Sequence, residues 1–456
     1  MSMAHFMVEF FYYSEIGEYA EDISMKILFI SKDLIAGNLA YLLKKEGHDV
    51  RLFIDEKGRR GNFTNLVHKI NTIKAGISWV GKEGLIVFDD VGYGKMQDKL
   101  RSKGYLVVGG SELGDRLELN REFGQKIFAE HGLKTVPLKD FEDLDEAAVY
   151  IKNNPAPWVI KKNPGSTKFI SYVSRLENGQ DTLDLIKTYL NDRTTSGVKI
   201  SLQKRVDGVE IGVGRFFNGN SWVGPIEFNI EYTRFMPGDI GPITSEMGTL
   251  AWYSNDEHNK LYQETIAKLE PYLRKINFRG DFELNCMVNE SGTYILEATS
   301  RFGSPIVHLQ SEIHESPWGE FLLALAKGEN YNLKWRKGYG IVLCLTTPPF
   351  PYPKKSKNNY SYGINVHFNG INDNNMNHIH FEEISIRTSD HEQLYISDRR
   401  GYILYVTGMG NSVPEAQEKV LNLANKIIIP KVLYRNDIGS SFVDKNEKLL
   451  KKWGYL

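Results

Sequence analysis

Between Phe278 and Gly303 the chain carries residue types that could hold a cation beside a phosphate. Asp281 to Val288 reads as one strand and Thr293 to Thr299 as another, joined by Asn289-Glu290-Ser291-Gly292. With Glu290-Ser291-Gly292 as the turn, Asn289 faces Thr293 and Asn285 faces Glu297. Side chains alternate between the two faces of a strand. Glu297, Thr299 and Arg301 therefore share a face, and Glu283 and Asn285 join it from the partner strand. Oxygen ligands of this kind suit Mg²⁺, which takes one or two carboxylates and completes its shell with nucleotide phosphates. An arginine beside them can grip a phosphate or carboxylate through two parallel hydrogen bonds. The same pattern also describes a solvent-facing hairpin with cross-strand polar pairs.

A second signal lies upstream. Trp158-Val159-Ile160-Lys161-Lys162 is a strand ending in two lysines, with the polar loop Asn163 to Lys168 after it and then a strand from Phe169 to Val173. Backbone N–H groups and lysines in such a loop can cover phosphates; lysines at strand ends are also commonly solvated. His378 and His380 form an H-x-H pair, but no further ligand stands at metal-site spacing. The Pro-rich stretch Pro348 to Pro353, with Lys354-Lys355-Ser356-Lys357 behind it, reads as a loop.

The elements that must position these residues alternate. Short apolar runs at Ile27–Ile30, His48–Ile54, Gly84–Phe88 and Tyr105–Val108 are separated by helical spacing, as over Asn38–Glu46. Strands alternating with helices predict a parallel sheet. The loop after the first run has only Gly37, so a dinucleotide G-x-G-x-x-G is missing. Arg121 to Ala129 predicts an amphipathic helix ending at Gly132. The length of 456 residues suits about three domains. With 56 Lys+Arg against 57 Asp+Glu, the net charge of -1 gives no global field for nucleic acid or an anionic membrane. Cys286 and Cys344 read as buried thiols, and no run of 18 apolar residues predicts a membrane span. A cytoplasmic protein, monomeric or homodimeric, is the expectation. Residues 1–24 lack the basic start and apolar core of a secretion signal and read as an N-terminal extension.

These motifs, taken in order, resemble the ATP-grasp ligase family, in its phosphoribosylamine–glycine ligase form. Gly110-Ser111 with Asn120-Arg121-Glu122-Phe123 resembles the start of the ATP-grasp domain, and Ala156 to Lys161 the strand whose lysine contacts phosphate. Ser201 to Glu210 resembles the adenine hinge. Asp239-Ile240-Gly241-Pro242-Ile243-Thr244-Ser245-Glu246-Met247-Gly248 resembles D-T-G-P-N-T-G-G-M-G, and Glu297 to Gly303 resembles E-F-N-C-R-F-G. Gly401 to Gly439 resembles the family's C-terminal domain.

The resemblance implies an α/β and α+β multi-domain fold. Its parts are an N-terminal parallel α/β domain (25–117), a two-lobed ATP-grasp clamp (118–335), a C-terminal α+β domain (336–439) and a tail (440–456). It implies ATP and Mg²⁺ (or Mn²⁺) as cofactors, with a small carboxylate and an amine joined through an acyl-phosphate. ATP would meet Arg121, Lys161, Lys168, Gln203, Lys204, Val206 and Glu210. Glu297, Asn285 and Thr299 would hold the metal. Arg234, Asp239, Thr244, Arg301 and Gly303 would contact substrate, with Arg301 and Lys161 catalytic. Several departures stand beside the matches. Thr299 replaces the family's metal-binding Asn, and the loop Lys162 to Lys168 has only Gly165. The family's G-G-R-E-H, which receives the phosphate of phosphoribosylamine, is replaced by Asp33 to Asn38. Three readings are open: a ligase with a changed acceptor, a true phosphoribosylamine–glycine ligase, or a silent nucleotide-binding scaffold.

Overall fold

Ile27, Leu28, Phe29 and Ile30 have no exposed surface, and neither do Leu85, Ile86 and Val87 two strands later. Strands buried on both faces read as unbroken apolar runs, the mark of a parallel sheet covered by helices. The computed structural model describes residues 24–162, 171–191, 199–352, 361–388 and 392–456. In it these runs form a five-stranded parallel sheet. Its order is His68–Lys69, Asp49–Ile54, Lys26–Ser31, Leu85–Phe88, Leu106–Val108. The edge strand His68–Lys69 is too short to show in the pattern. The order reverses at Lys26–Ser31, and open α/β sheets bind ligands outside the carboxyl ends of the strands at such a reversal. Here the loops after Ser31 and Phe88 meet. Asp89 accepts from the Ser31 hydroxyl at 2.6 Å and from the Ala36 amide at 3.0 Å. Burial, and then Asp90, push its carboxyl up to about 7.

A smaller four-stranded sheet comes next, ordered Leu138–Phe141, Ile200–Lys204, Trp158–Lys162, Tyr172–Val173. The helices Leu144–Asn153 and Gln180–Leu190 cover it. Phe141, Leu144, Ile151, Trp158, Ile160, Ile186 and Leu202 give this lobe its own apolar core.

The largest element is an eight-stranded antiparallel sheet. In order it runs Gly292–Thr299, Arg279–Asn289, Val209–Asn218, Trp222–Glu231, Gly248–Ser254, Tyr339–Thr346, Tyr402–Gly410, Ile379–Phe381. The sheet runs straight through the boundary expected near 336. Helix Glu447–Trp453 packs on the body, Tyr455 is only 1% exposed, and its hydroxyl donates to Glu264 at 2.9 Å. Both cysteines are buried and unpaired. Among the described residues no helix is long and apolar enough to cross a membrane.

Candidate active site

The hairpin 279–299 is tighter than its sequence suggests. Asn289 pairs with Gly292 and Val288 with Thr293, so two residues, Glu290 and Ser291, form the turn. The expected facing of Asn289 with Thr293 is therefore wrong by one position. A bulge between Cys286–Ile295 and Asn285–Glu297 restores the register. A β-bulge sets one extra residue, here Leu296, against its partner strand and re-aims the side chains beyond it. Asn285 then faces Glu297, and Glu283 faces Thr299.

Glu283, Asn285, Glu297, Thr299 and Arg301 line one wall of a cavity of about 370 Å³. Asn229 and Glu231 continue that wall two strands away. Glycine at 212 permits this continuity. A Cβ there would stand 2.2 Å from Asn229 Oδ1 and 2.7 Å from Glu283 Oε1. Gly303 through Ile306 also line it, as do Ser245, Glu246 and Thr249. Asp33, Ile35 and Arg59 arrive from the parallel-sheet domain, and Glu382, Arg400, Tyr402 and Tyr405 from the C-terminal part.

Arg301 is clamped by the N-terminal part of the chain. Its Nε donates to Glu118 at 3.1 Å, its Nη1 donates to the Phe302 carbonyl at 2.8 Å, and Asp90 stands 3.7 Å away. The Ser300 amide also donates to Glu118. Burial alone would depress the guanidinium, but Glu118 and Asp90 outweigh it and the group stays charged.

The small lobe faces the same place. Lys161, on strand Trp158–Lys162, is depressed by burial; Glu297 opposes that shift, Arg121 adds to it, and Glu210 opposes it. Arg121 opens the helix Arg121–Glu130, whose Asn120 cap accepts from the Phe123 amide at 2.9 Å. Burial depresses it too, against Glu297 and Asp140. Glu210 has solvent access on the cleft side. Surrounding protein, and then Glu297, nevertheless raise its carboxyl, with Lys161 pulling the other way. Lys161, Arg121, Glu210 and Glu297 thus act on one another from four separate elements.

Other sequence-chosen residues sit elsewhere. Gln203 is buried and its Nε2 donates to the Val136 carbonyl at 2.7 Å, so this amide ties the lobe to its linker. Lys204 is exposed and Val206 half-buried on the crossing between lobe and sheet. Arg234 donates to the Gly241 carbonyl, and Thr244 donates to the Thr233 carbonyl. Asp239 accepts from Arg435 at 2.9 Å. None of these three is among the cavity-lining residues; their hairpin folds back on itself. Lys168 lies outside the described residues. His378 bonds Glu312 at 2.6 Å and His380 contacts Thr407 at 3.1 Å, which accounts for the H-x-H pair without a metal.

Sequence reasoning missed Arg59, Glu118, Glu231, Glu246, Glu382, Arg400, Tyr402 and Tyr405. For Glu246 a signal existed, since Ser245-Glu246 stands where the resembled loop has Gly-Gly. The others come from distant segments with no local pattern.

A magnesium ion fits the donor set. Asn285 is 5% exposed, lines the cavity, and its Oδ1 has no partner among the described residues. Among those residues no group of three His, Cys, Asp or Glu forms a preformed metal cage. Glu297 with an amide oxygen is instead the sparse protein contribution that Mg²⁺ takes when phosphates supply the rest.

Residues 119–307 match the family model described as phosphoribosylglycinamide synthetase, ATP-grasp (A) domain. The chain carries an ATP-grasp domain and is similar to phosphoribosylamine–glycine ligases. Among its curated relatives, phosphoribosylamine–glycine ligase of Vibrio parahaemolyticus is 25% identical over 364 residues, covering 77% of this chain and 81% of that one. The Helicobacter pylori enzyme of the same name is 23% identical over 365 residues, covering 77% and 80%. Solved structures share the fold. Phosphoribosylamine–glycine ligase from Thermotoga maritima superposes with a TM-score of 0.67 at 19% identity, over 91% of this chain and all of that one. The biotin carboxylase domain of Hydrogenobacter thermophilus 2-oxoglutarate carboxylase, solved with MgADP and bicarbonate, gives 0.62 at 14% identity, over 94% and 97%.

Proposed function

We propose that this ATP-grasp ligase joins a small carboxylate to an amine through an acyl-phosphate, releasing ADP, and that its acceptor site differs from that of phosphoribosylamine–glycine ligase. The observation carrying this reading is the convergence on Glu297. A hairpin wall of oxygen donors ending in Arg301 meets Lys161, Arg121 and Glu210 from the small lobe and its hinge. Glu297 and Asn285, with Thr299 beside them, would hold Mg²⁺, which when bound would neutralise charge on the nucleotide phosphates. Lys161 and Arg121 hold phosphate oxygens and keep ATP's terminal phosphoryl aligned. Glu210 accepts from the nucleotide's hydroxyls. Arg301, locked in place by Glu118, offers a fixed cation to the acyl-phosphate and to the oxyanion of amine attack. Preorganised charge of this sort is usually the largest catalytic term. ATP is the phosphoryl source, and the protein acts without nucleic acid or membrane partners.

The altered acceptor rests on Asp33. It stands where a phosphate-binding loop is expected and engages two arginines, Arg59 at 3.4 Å and Arg400 at 2.7 Å. The test is ADP release over a panel of carboxylates, with hydroxylamine present to trap acyl-phosphate as hydroxamate. At least one carboxylate should give stoichiometric ADP and hydroxamate. Glu297→Ala should lower that rate by about 10²-fold or more, the usual scale for loss of an electrostatic stabiliser. ATP binding without any hydroxamate would favour a silent scaffold instead.

A further inference from the structure

Resting on the ligase reading, we infer that the acceptor is a cationic amine without a phosphate, received by Glu246 and Glu231 in the cavity that Asp33 and Arg400 also line. The cavity is lined by six carboxylates and three guanidinium groups. The two guanidinium groups that meet Asp33 are already engaged. Arg59, with 3% of its side chain exposed, bonds Asp398 at 2.8 Å and Glu382 at 2.8 Å, with Glu383 and Asp33 both at 3.4 Å. Arg400 Nη1 meets both oxygens of Asp33, at 2.7 and 2.8 Å. Arg301 is held by Glu118. A second phosphate, entering beside Asp33 away from Arg301 and the metal side, would displace Asp33 from Arg400 or sit beside Asp33 and Glu382 unpaired. Burying an unpaired charge is among the most costly events in a protein interior.

An ammonium meets the opposite situation. Glu246 is 6% exposed and lines the cavity, held among the described residues by the Thr249 hydroxyl. Burial, then Glu231, hold its carboxyl well above the usual range, so it keeps its proton until an arriving cation brings the counter-charge that lets it ionise. Asn229 is 1% exposed on the same wall, and its Oδ1 has no partner among the described residues. The unpartnered Asn229 oxygen is independent of the acidic count, and it calls for a donor. The chemistry balances. The ammonium cedes one proton to the Glu246 carboxylate and becomes a nucleophilic amine. Its nitrogen forms the C–N bond as the acyl C–O bond to phosphate breaks. The second nitrogen proton leaves with the phosphate as hydrogen phosphate.

A matched pair of probes tests this, ethanolamine against O-phosphoethanolamine, which differ only by the phosphate. Hydroxamate trapping, run first without either amine, tests the ligase reading by itself. With a competent carboxylate and MgATP, ethanolamine should give a kcat/KM at least about tenfold above its phosphorylated partner, a difference of one pairing interaction. Asp33→Asn removes the carboxylate that pairs with Arg400, while Asp398 and Glu382 still hold Arg59, and should move that ratio toward O-phosphoethanolamine by about tenfold. Titration calorimetry with each amine reads the same preference without turnover. Equal or better use and binding of O-phosphoethanolamine, with hydroxamate still formed, overturns the acceptor class while the ligase reading stands. Absence of hydroxamate with every carboxylate, beside tighter binding of O-phosphoethanolamine, removes both.

Discussion

Arg301 shows how a single charged residue can be fixed by a partner outside the cavity lining. Glu118 accepts both from its Nε and from the amide of the preceding Ser300, so one carboxylate sets the side chain and the backbone that carries it. Glu118→Gln keeps the shape and removes the charge. It should lower kcat about tenfold while leaving KM for ATP unchanged, which separates positioning from nucleotide binding. Arg301→Lys should do more, about 10²-fold, because a point charge cannot reproduce the forked geometry. At this scale the sequence was informative where alternation governs. Glu283, Asn285, Glu297, Thr299 and Arg301 do share a wall, because period two is a property of any strand. Glu118 and Arg59 were illegible. Glu118 meets Ser300 and Arg59 meets Glu382, 182 and 323 residues away, and no local period encodes a pairing over such distances.

At the scale of elements, the central strands carry a buried row of acids. Gln310 bridges Glu227 at 3.1 Å and Asp281 at 2.9 Å, while Asn229 bridges Glu227 at 3.2 Å and Glu283 at 2.8 Å. Burial, and then neighbouring carboxylates, push Glu227 and Glu283 up to about 8; burial pushes Asp281 up to about 6. These groups bind protons more tightly folded than unfolded. Their contribution to stability is complete below the unfolded value near 4 and is lost as pH rises through about 6 to about 8. Thermal midpoints should therefore fall across that window, and Glu227→Gln should flatten the fall. The same row requires Gly212. Gly212→Ala places a methyl against Asn229 Oδ1 and should cost about 1–3 kcal/mol in denaturant unfolding. Strand positions here were readable from apolar runs, but the turn was not. A two-residue turn with Gly292 at φ +126 shifted the register, and the bulge at Leu296 undid the shift. The pairing of Asn285 with Glu297 was thus reached from a wrong turn.

Taken whole, the chain is tied together by its end as much as by its middle. Phe442, Leu450 and Tyr455 are each at most 1% exposed, the Asn259 side chain donates to the Tyr455 carbonyl, and Lys260 donates to the Trp453 carbonyl. A chain stopped after Ser440 loses three buried side chains, each contributing about 1.5–3 kcal/mol. That approaches the entire stability of an ordinary domain, so the truncated protein should lose its cooperative thermal transition. The eight-stranded sheet has a different consequence. It runs without interruption from the hairpin bearing Glu297, through the strand bearing Glu231, to the strand Ile379–Phe381, so these two residues belong to one plate. Lys161 rides on the separate four-stranded sheet with its own core. Any widening of the cleft must then be a swing of that lobe about its crossings near 137 and 206, with the plate left flat. In amide hydrogen exchange the plate's strands should open together at the highest free energy. Residues 138–191, where described, should exchange as a second and weaker unit that only nucleotide slows. Such a machine would read ATP with its moving part and its acceptor with its fixed one.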